Sequence, residues 1–493
     1  MQAAASQNDT SFFGHPRGLA TLFMTELWER FSYYGMRALL ILFMTAPVGT
    51  GGLGFTVAKA GALYGLYTAM VYMVSLPGGW LADRYLGLRR AVLYGGVLIA
   101  LGNAGLVIPG LVSFYTGLAV IVAGTGLLKP NVSALVGKLY EEGDSRRDSG
   151  FSIYYMGINL GAFLAPLACG YVGQEINWHL GFSLAAAGMA LGVVQFVFGT
   201  KHLRGAGAAP PHRDAGGARP GARRLWRAAA PALLLAGALG LAMAKGRVAL
   251  DVQMLSDGAG VLLLAITAGF FTWLLLSGGW TPAERKRLLV AGVLFLASAM
   301  FWCVFEQAGS TLNLFAQRST DKTVFGFSFP ASWLQSFNAM FIIAFAPVFA
   351  WVWMKLGSRE PSSPTKFVLG LLAAGAGFLV LVPAAGRAES GVLVSPLWLV
   401  AVYFLHTAGE LCLSPVGLSA MTKLAPARVS GLLMGVWFLS ISLGNYLGGR
   451  LASLYESLPL PRLFLIVAVF GIASGLILAL FVRPTKKLMG GVK

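Results

Sequence analysis

The stretch Gly79-Trp-Leu-Ala-Asp83-Arg84-Tyr-Leu-Gly87-Leu-Arg89-Arg90 separates two long apolar segments of the chain. It combines glycines, which favour turns, with one carboxylate and three arginines. The apolar segment that follows, residues 91–108, is long enough to cross a hydrocarbon layer about 30 Å thick as a helix. The quoted stretch is therefore predicted to be a charged loop between two membrane-spanning helices.

Similar apolar segments recur along the whole chain of 493 residues. Hydrophobic residues make up 57% and charged residues 11% of the sequence, whereas soluble domains carry about 25% charged residues. A soluble protein would have to use each apolar segment as a core helix, and core helices normally keep a polar face. The composition therefore predicts an all-α integral membrane protein.

Prolines, glycines and clusters of charge mark the ends of fourteen predicted spans. These lie near residues 19–45, 60–82, 90–109, 112–136, 149–173, 180–199, 228–244, 258–279, 287–315, 331–355, 366–384, 396–421, 430–454 and 463–482. The stretch 201–227, rich in Gly, Ala, Pro and Arg, is predicted to be a flexible cytoplasmic linker. It separates an N-terminal six-helix bundle, 1–200, from two inserted helices, 228–280, and a C-terminal six-helix bundle, 281–493.

The basic residues indicate how the chain is oriented. The formal net charge is +18, but Lys and Arg lie in short connections between apolar segments rather than on one soluble face. Cytoplasmic loops are enriched in these residues, so the pattern favours membrane orientation over a nucleic-acid partner. An even number of spans puts both termini on one side, and the basic loops predict that this side is the cytoplasm.

Two six-helix halves around a cavity at the middle of the membrane are the arrangement of the major facilitator superfamily. In that class the halves rock to expose the site alternately to each side. The stretch Gly79–Arg90 also resembles the cytoplasmic loop signature of the superfamily. A basic loop alone would explain its arginines but not its ordered glycines and aspartate, so a major facilitator fold is predicted.

Ionisable residues inside the spans are the candidate functional residues. Each costs at least about 2.5–3.5 kcal/mol at the bilayer centre, so each needs a partner or a purpose. The sequence has seven: Glu26, Glu29, Arg30, Arg37, Lys129, Glu306 and Glu410. Because they are four acids and three bases spread over both halves, one proton more or less could decide which pairs form.

In the first helix, a polar stripe runs along two to three turns, because its members recur at spacings of three and four residues. The stripe consists of Glu26, Arg30, Tyr33, Tyr34 and Arg37. Glu29 lies within a turn of Arg30, so two carboxylates compete for one guanidinium, and the cluster could hold and release a proton. The alternative is a structural ion-pair cluster that ties the helix to its neighbours.

Three motifs carry a family resemblance. The segment Glu26-Leu-Trp-Glu29-Arg30-Phe31-Ser-Tyr33-Tyr34-Gly35 resembles the first helix of the proton-dependent oligopeptide transporter family. The segment Phe151-Ser-Ile-Tyr154-Tyr155-Met-Gly-Ile-Asn159-Leu-Gly161-Ala-Phe163 is similar to that family's fifth-helix signature, and residues 78–92 to its loop signature. In the second half, Glu306-Gln307, Trp333 to Asn338 and Gly409-Glu410 agree as well, and bacterial members of the family also carry two inserted helices.

The resemblance implies a proton-coupled symporter that imports di- and tripeptides across the bacterial inner membrane. The implied peptide-binding residues are Arg30, Tyr34, Tyr67, Lys129, Tyr155, Asn159, Asn338, Glu410 and Trp437. A guanidinium and an ammonium suit the peptide carboxylate, while an acid and two amide carbonyls suit the amino terminus. Trp437 and Tyr155 would offer apolar walls, although aromatic residues at helical spacing are also common in packing.

The resemblance also implies how proton and peptide are coupled. The implied coupling residues are Glu26, Glu29, Arg30, Arg37 and Glu306, with ion pairs between Arg37 and Glu306 and between Lys129 and Glu410. The chain departs from some bacterial members at two positions. Phe305 precedes Glu306 where a second acid can occur, and Arg318 stands where an acid can occur, so a second outer salt bridge is not expected.

Other functions remain open at this point. The same scaffold could carry nitrate, a nucleoside or a drug-like molecule, since a fold does not fix a substrate; retention of both Lys129 and Glu410 favours a ligand with two opposite charges. An enzyme is not predicted, because the five histidines and three cysteines show no metal-ligand spacing and no nucleophile has a base. The expected partners are peptides, protons and the lipid bilayer, with no cofactor, and the expected state is a monomer.

Overall fold

The computed structural model describes residues 10–141, 143–203, 205–208, 251–426 and 429–489. Fifteen α-helices lie within these residues. They are α1 Arg17–Thr45, α2 Val57–Met73, α3 Ser75–Leu81, α4 Leu88–Val107, α5 Leu111–Gly137, α6 Arg147–Tyr171, α7 Trp178–Gly199, α8 Val252–Leu276, α9 Pro282–Phe305, α10 Thr311–Ser319, α11 Ser336–Leu356, α12 Ser363–Glu389, α13 Leu397–Leu424, α14 Ser430–Ala452 and α15 Leu460–Leu488.

Eleven helical stretches in the described residues are long and apolar enough to cross a membrane. Helix α1 is not among them because it contains five charged residues, including the predicted cluster. Every predicted span coincides with an observed helix except the one at 228–244, which lies outside the described residues. The all-α membrane architecture is therefore confirmed, and the number fourteen stays a prediction.

The stretch that was predicted to be a loop, Gly79–Arg90, is largely helical. Helix α3 runs to Leu81, and one π-helical turn, Ala82–Leu86, extends it. The chain reverses at Gly87, whose φ of 76° lies in the region that favours glycine. The helical segment therefore extends to Leu86, beyond the predicted end of the span near residue 82, and α4 begins directly after Gly87.

The segment predicted as one helix over 287–315 is interrupted. Helix α9 begins with a capping box, in which the Thr281 hydroxyl accepts the Glu284 N–H at 3.2 Å and the Glu284 carboxylate accepts the Thr281 N–H at 2.8 Å. It ends at Phe305, and a 3₁₀ turn, Glu306–Gly309, joins it to α10. The ionisable residue of this segment therefore sits where the regular helix stops.

The chain divides into two compact units, and it passes from one to the other at five points, the first within α1 between Met36 and Arg37. The described part of unit 1 comprises residues 10–36, 74–141, 143–165, 179–203 and 205–208 with Asp251. In this unit α4 and α5 pack backbone against backbone, because Gly95 and Gly124 face each other with no room for a side chain. Buried residues at the start of α1, including Leu19 and Leu22, belong to the apolar core of unit 1.

The described part of unit 2 comprises residues 37–73, 166–178, 252–426 and 429–489. Here α2 and α14 meet through glycines, since a methyl group at Gly65 would meet the backbone of Gly449. A short hairpin between α10 and α11 pairs β1 Thr323–Val324 with β2 Phe327–Ser328. Helix α8, which lies in the predicted insertion, packs on this unit, where Asp257 accepts a hydrogen bond from Arg450 at 2.6 Å.

Candidate functional site

The carboxylates of the first helix share one guanidinium in unit 1. Arg30 Nε lies 3.1 Å from Glu26 Oε1 and also donates to Glu29 Oε2. All three side chains are almost fully buried. The helical spacing predicted this cluster, in which two carboxylates of one helix face one guanidinium.

Two residues that the sequence analysis did not select complete this cluster. The Tyr154 hydroxyl donates to Glu26 Oε2 at 2.7 Å and lies 3.4 Å from the Ser133 hydroxyl. Tyr154 is adjacent to Tyr155 in the fifth-helix motif, and helical periodicity gave no reason to prefer it. Lys129 is close enough to act on Glu26 electrostatically, so the unit-1 site contains a second cation near the acids.

The remaining predicted residues of unit 1 have distinct environments. Tyr34 is half-buried and its ring contacts Tyr33 with centroids 5.2 Å apart. Tyr155 is 38% exposed. Asn159, one turn later, donates its Nδ2 to the Tyr155 carbonyl at 2.9 Å. Because the amide nitrogen is engaged by the helix backbone, the amide oxygen of Asn159 is the end offered as an acceptor.

A buried ion pair lies at the helix break in unit 2. Arg37 Nη2 pairs with Glu306 Oε2, and Arg37 Nε donates to the Tyr64 hydroxyl at 2.6 Å. Gly309, at the end of the 3₁₀ turn, packs directly against Tyr64 and Arg37. The pair expected between Arg37 and Glu306 is thus present, and Tyr64 is a partner that the sequence analysis did not select.

The acid of α13 is held by an amide from α11. Asn338 Nδ2 donates to Glu410 Oε2 at 3.1 Å and to the Thr407 hydroxyl at 2.9 Å. Glu410 also lies within electrostatic range of Glu306 and Arg37. The predicted residues Asn338 and Glu410 therefore form one group in unit 2, whereas Lys129, the predicted partner of Glu410, belongs to unit 1, so that pairing stays a prediction.

Two predicted aromatic residues of unit 2 are buried. Tyr67 is 3% exposed and Trp437 is 5% exposed. The Trp437 ring contacts Phe367 with centroids 6.4 Å apart and packs against Gly417. In this structure Trp437 makes packing contacts, the alternative role that the sequence analysis had allowed for it.

The expectation of no second ion pair on the predicted outer side was wrong. Arg318 Nη1 lies 2.7 Å from Glu456 Oε1, and Glu456 Oε2 accepts the Val57 N–H at 3.3 Å. One carboxylate thus joins the end of α10 to the start of α2. The partners are 138 residues apart in sequence, so no local pattern could reveal the pair.

Replacing Glu456 by glutamine is expected to change stability little. Both side chains are partly exposed, and exposed pairs contribute about 0.2–1 kcal/mol. Glutamine also keeps an acceptor for Val57. The apparent unfolding temperature of the purified variant, measured at low and high salt, should stay close to that of the wild type. A large fall would show that this carboxylate holds the two helices more firmly than its exposure suggests.

The sequence pattern that defines the POT family matches residues 89–214 and 262–464. This chain belongs to the POT family. It is 43% identical over 487 residues to an uncharacterized transporter, YclF, of Bacillus subtilis, covering 98% of this chain and 96% of that protein. It is 41% identical over 498 residues to the peptide transporter YePEPT of Yersinia enterocolitica, covering 98% and 97% of the two chains.

Solved structures of the POT family are similar along nearly the whole chain. A crystal structure of a peptide transporter POT in complex with sulfate is 46% identical, with a TM-score of 0.90 and 99% of each chain covered. A POT family transporter in complex with 5-aminolevulinic acid is 36% identical, with a TM-score of 0.89, covering 98% of this chain and 99% of that one. The protein is therefore a multi-pass membrane transporter of the major facilitator fold, not an enzyme.

The structure brings the predicted residues of this POT family member into one group in unit 1 and two in unit 2. Glu26, Glu29 and Arg30 form the first, Arg37 and Glu306 the second, and Asn338 and Glu410 the third. Within the described residues, no group of three or more His, Cys, Asp or Glu is arranged to hold a metal ion. The three groups are held together by ion pairs and hydrogen bonds between side chains.

Proposed function

We propose that the protein is a proton-coupled symporter that imports di- and tripeptides by alternating access. Membership of the POT family supports this proposal, as do relatives named as a peptide transporter in Yersinia enterocolitica and as a di-/tripeptide transporter in Lactococcus lactis. The Lactococcus relative is 38% identical over 99% of both chains. The arguments below assign parts of this function to residues.

The observation that carries the proposal is the Asn338–Glu410 pair. Glu410 is an acid inside a span, and Asn338 donates through Nδ2 to Glu410 and to Thr407, so the amide oxygen of Asn338 takes no part in these two hydrogen bonds. A carboxylate and an amide carbonyl are the acceptors that a peptide ammonium requires. In this proposal Asn159, which offers its amide oxygen in unit 1, binds the same amino terminus from its own side.

The carboxylate of the peptide is assigned to the cations of unit 1. Arg30 supplies a planar guanidinium and Lys129 a compact ammonium, which together suit a free carboxylate. Glu26 and Glu29 hold Arg30 until a carboxylate competes for it. The proposal also assigns Tyr34 and Tyr67 to the carboxylate end of the peptide, and Tyr155 and Trp437 to its side chains. Because the charges at the two ends of all di- and tripeptides are the same, broad specificity follows.

Proton coupling is assigned to the acids paired with arginines. Protonation of Glu306 neutralises one partner of a buried ion pair, so the attraction that holds Arg37 to Glu306 is weakened while the hydrogen bond from Arg37 to Tyr64 can persist. The Glu26, Glu29 and Arg30 cluster can take up the same role in unit 1, since its two carboxylates compete for one guanidinium. Release of these pairs would allow the predicted outer side to open, and peptide binding would relax the Lys129–Glu410 pair.

The rival reading is another substrate on the same scaffold, such as nitrate, a nucleoside or a drug-like molecule. A ligand with an amino group at one end and a carboxylate at the other fits the charges better, and 5-aminolevulinic acid, bound in a similar POT family structure, has this character. A pure anion would leave Glu410 without a role. A pure cation would leave Arg30 and Lys129 without one.

The wider organisation also belongs to the proposal. It comprises two six-helix halves, 1–200 and 281–493, the linker 201–227 and the inserted helices 228–280. Both termini face the cytoplasm of a bacterium, the membrane is the inner membrane, the working unit is one chain, and protons are the coupling ion. Basic residues in the connections on the predicted inner side support this orientation.

The deciding experiment is uptake of labelled dialanine into liposomes that contain the purified protein. An inward proton gradient is imposed and then collapsed by an ionophore. Gradient-dependent uptake, competed by other di- and tripeptides but not by free alanine, is the expected result. No uptake by correctly folded protein would reject peptide symport and direct the same assay to the rival substrates.

A further inference from the structure

Thr407 contacts the amide of Asn338, one of the residues assigned to the peptide amino terminus. It lies on α13 three residues before Glu410, on the same face of the helix, and its side chain is buried. Its hydroxyl donates to the Tyr403 carbonyl at 2.7 Å. A hydroxyl has one hydrogen, so towards Asn338 Nδ2, 2.9 Å away, Thr407 can act only as an acceptor.

This arrangement fixes which way the Asn338 amide faces. Its two N–H hydrogens are directed to two acceptors, the Thr407 hydroxyl oxygen and the Glu410 carboxylate. A reversed amide would place its oxygen against both of these oxygens, with no hydrogen between them. Within the part of the chain that the structure describes, no protein donor contacts Asn338 Oδ1. The oxygen is therefore left for a donor from outside the protein.

The contribution of Thr407 differs from that of Glu410. A protonated Glu410 has an O–H that can donate to the Asn338 amide oxygen, and its other oxygen can still accept from the amide N–H. It can therefore bond to the Asn338 amide in either orientation. Among the described residues of unit 2, Glu306 and Arg37 are charged groups that act on Glu410 electrostatically. The Thr407 hydroxyl does not titrate, and it donates its one hydrogen to the Tyr403 carbonyl in either case. It keeps the Asn338 amide in one orientation in both protonation states of Glu410.

We propose that Thr407 is a positioning residue for the peptide amino terminus, which it serves by holding Asn338 with Oδ1 presented to the substrate ammonium. The inference rests on the proposed function, and it adds a specificity determinant to it. A ligand whose end group donates hydrogen bonds meets an acceptor that is already oriented. A ligand with an acylated amino group has lost the charge and two of the three donors, so it gains little from the same oxygen.

The test is equilibrium binding in nanodiscs of dialanine and N-acetyl-dialanine to the wild type, Thr407→Val and Thr407→Ser. Valine keeps the volume of threonine without its hydroxyl, and serine keeps the hydroxyl. For Thr407→Val we expect dialanine to bind about tenfold more weakly, the factor for one hydrogen bond near a charge, with N-acetyl-dialanine unchanged. Thr407→Ser should retain the wild-type ratio of the two affinities.

The outcomes separate a positioning role from a structural one. Wild-type affinities in Thr407→Val, an equal loss for both ligands, or a serine variant that behaves like the valine variant would each overturn the inference. Thr407→Ala removes the same hydroxyl without adding a methyl group, and gives an independent reading if the valine variant does not fold. A wild-type protein that binds no dialanine overturns the proposed function and this inference with it, whereas wild-type binding with no effect of Thr407→Val overturns this inference alone.

Discussion

Gradient-driven accumulation of dialanine is expected to disappear in Glu306→Gln, while counterflow exchange of peptide persists. The glutamine cannot take up or release a proton, and it removes one partner of the buried pair with Arg37. Because the carboxamide stays uncharged throughout the transport cycle, it cannot couple proton movement to uptake, and we expect the gradient-driven rate to fall to the level measured after the ionophore is added. Counterflow needs only binding and reorientation of the loaded protein, and neither requires this proton.

The control for Glu306→Gln is the same chemical change at Glu175, an exposed carboxylate of unit 2. Glu175→Gln should transport like the wild type. Unchanged proton-driven uptake in Glu306→Gln would remove this carboxylate from the coupling mechanism. An equal loss of uptake and counterflow would mean that the residue serves binding or folding instead.

Glu410→Gln is expected to weaken peptide binding itself, so that uptake and counterflow fall together. Glutamine cannot neutralise a buried ammonium, and losing the charge of such a pair costs about 2–5 kcal/mol, which raises the KM for dialanine by at least about 30-fold. The Asn338 amide also loses its charged acceptor. Uptake kinetics and counterflow, measured on the same liposomes, distinguish this pattern from that of Glu306→Gln.

The decisive comparison for Glu410→Gln uses N-acetyl-dialanine as a competitor. The wild type should strongly prefer the free amino terminus, and the variant should lose most of that preference, because the group that recognises the charge is gone. Glu175→Gln again serves as the matched control. A variant that still discriminates like the wild type would place the amino terminus elsewhere, and would leave Glu410 a purely structural acid.

Much of the fold and part of the site follow from local sequence. The apolar segments, their lengths and the Thr281 capping box depend on neighbouring residues, so they could be predicted without tertiary contacts. The cluster of Glu26, Glu29 and Arg30 could be predicted for the same reason, since all three side chains lie within two turns of one helix. Helical spacing is fixed by backbone geometry and survives in any tertiary arrangement.

The helix ends and the contacts between helices could not be predicted in this way. The span over residues 57–86 continues as far as Gly87, which adopts a positive φ. Helix α9 ends at Phe305, just before the 3₁₀ turn in which Gly309 packs against Tyr64 and Arg37. The Arg318–Glu456 pair joins two distant segments. Each of these features depends on which backbones approach closely, and the sequence pattern of one helix does not contain that information.

The sequence by itself determined that the chain crosses a membrane as helices, and which ionisable residues those helices carry, because hydrophobic length and charge placement are local properties. The tertiary structure decided which partner each buried polar group takes. Tyr154 bonds to Glu26, Tyr64 to Arg37 and Thr407 to Asn338. A hydrogen bond requires its two atoms to lie about 3 Å apart, and helix packing alone sets that distance for residues far apart in sequence.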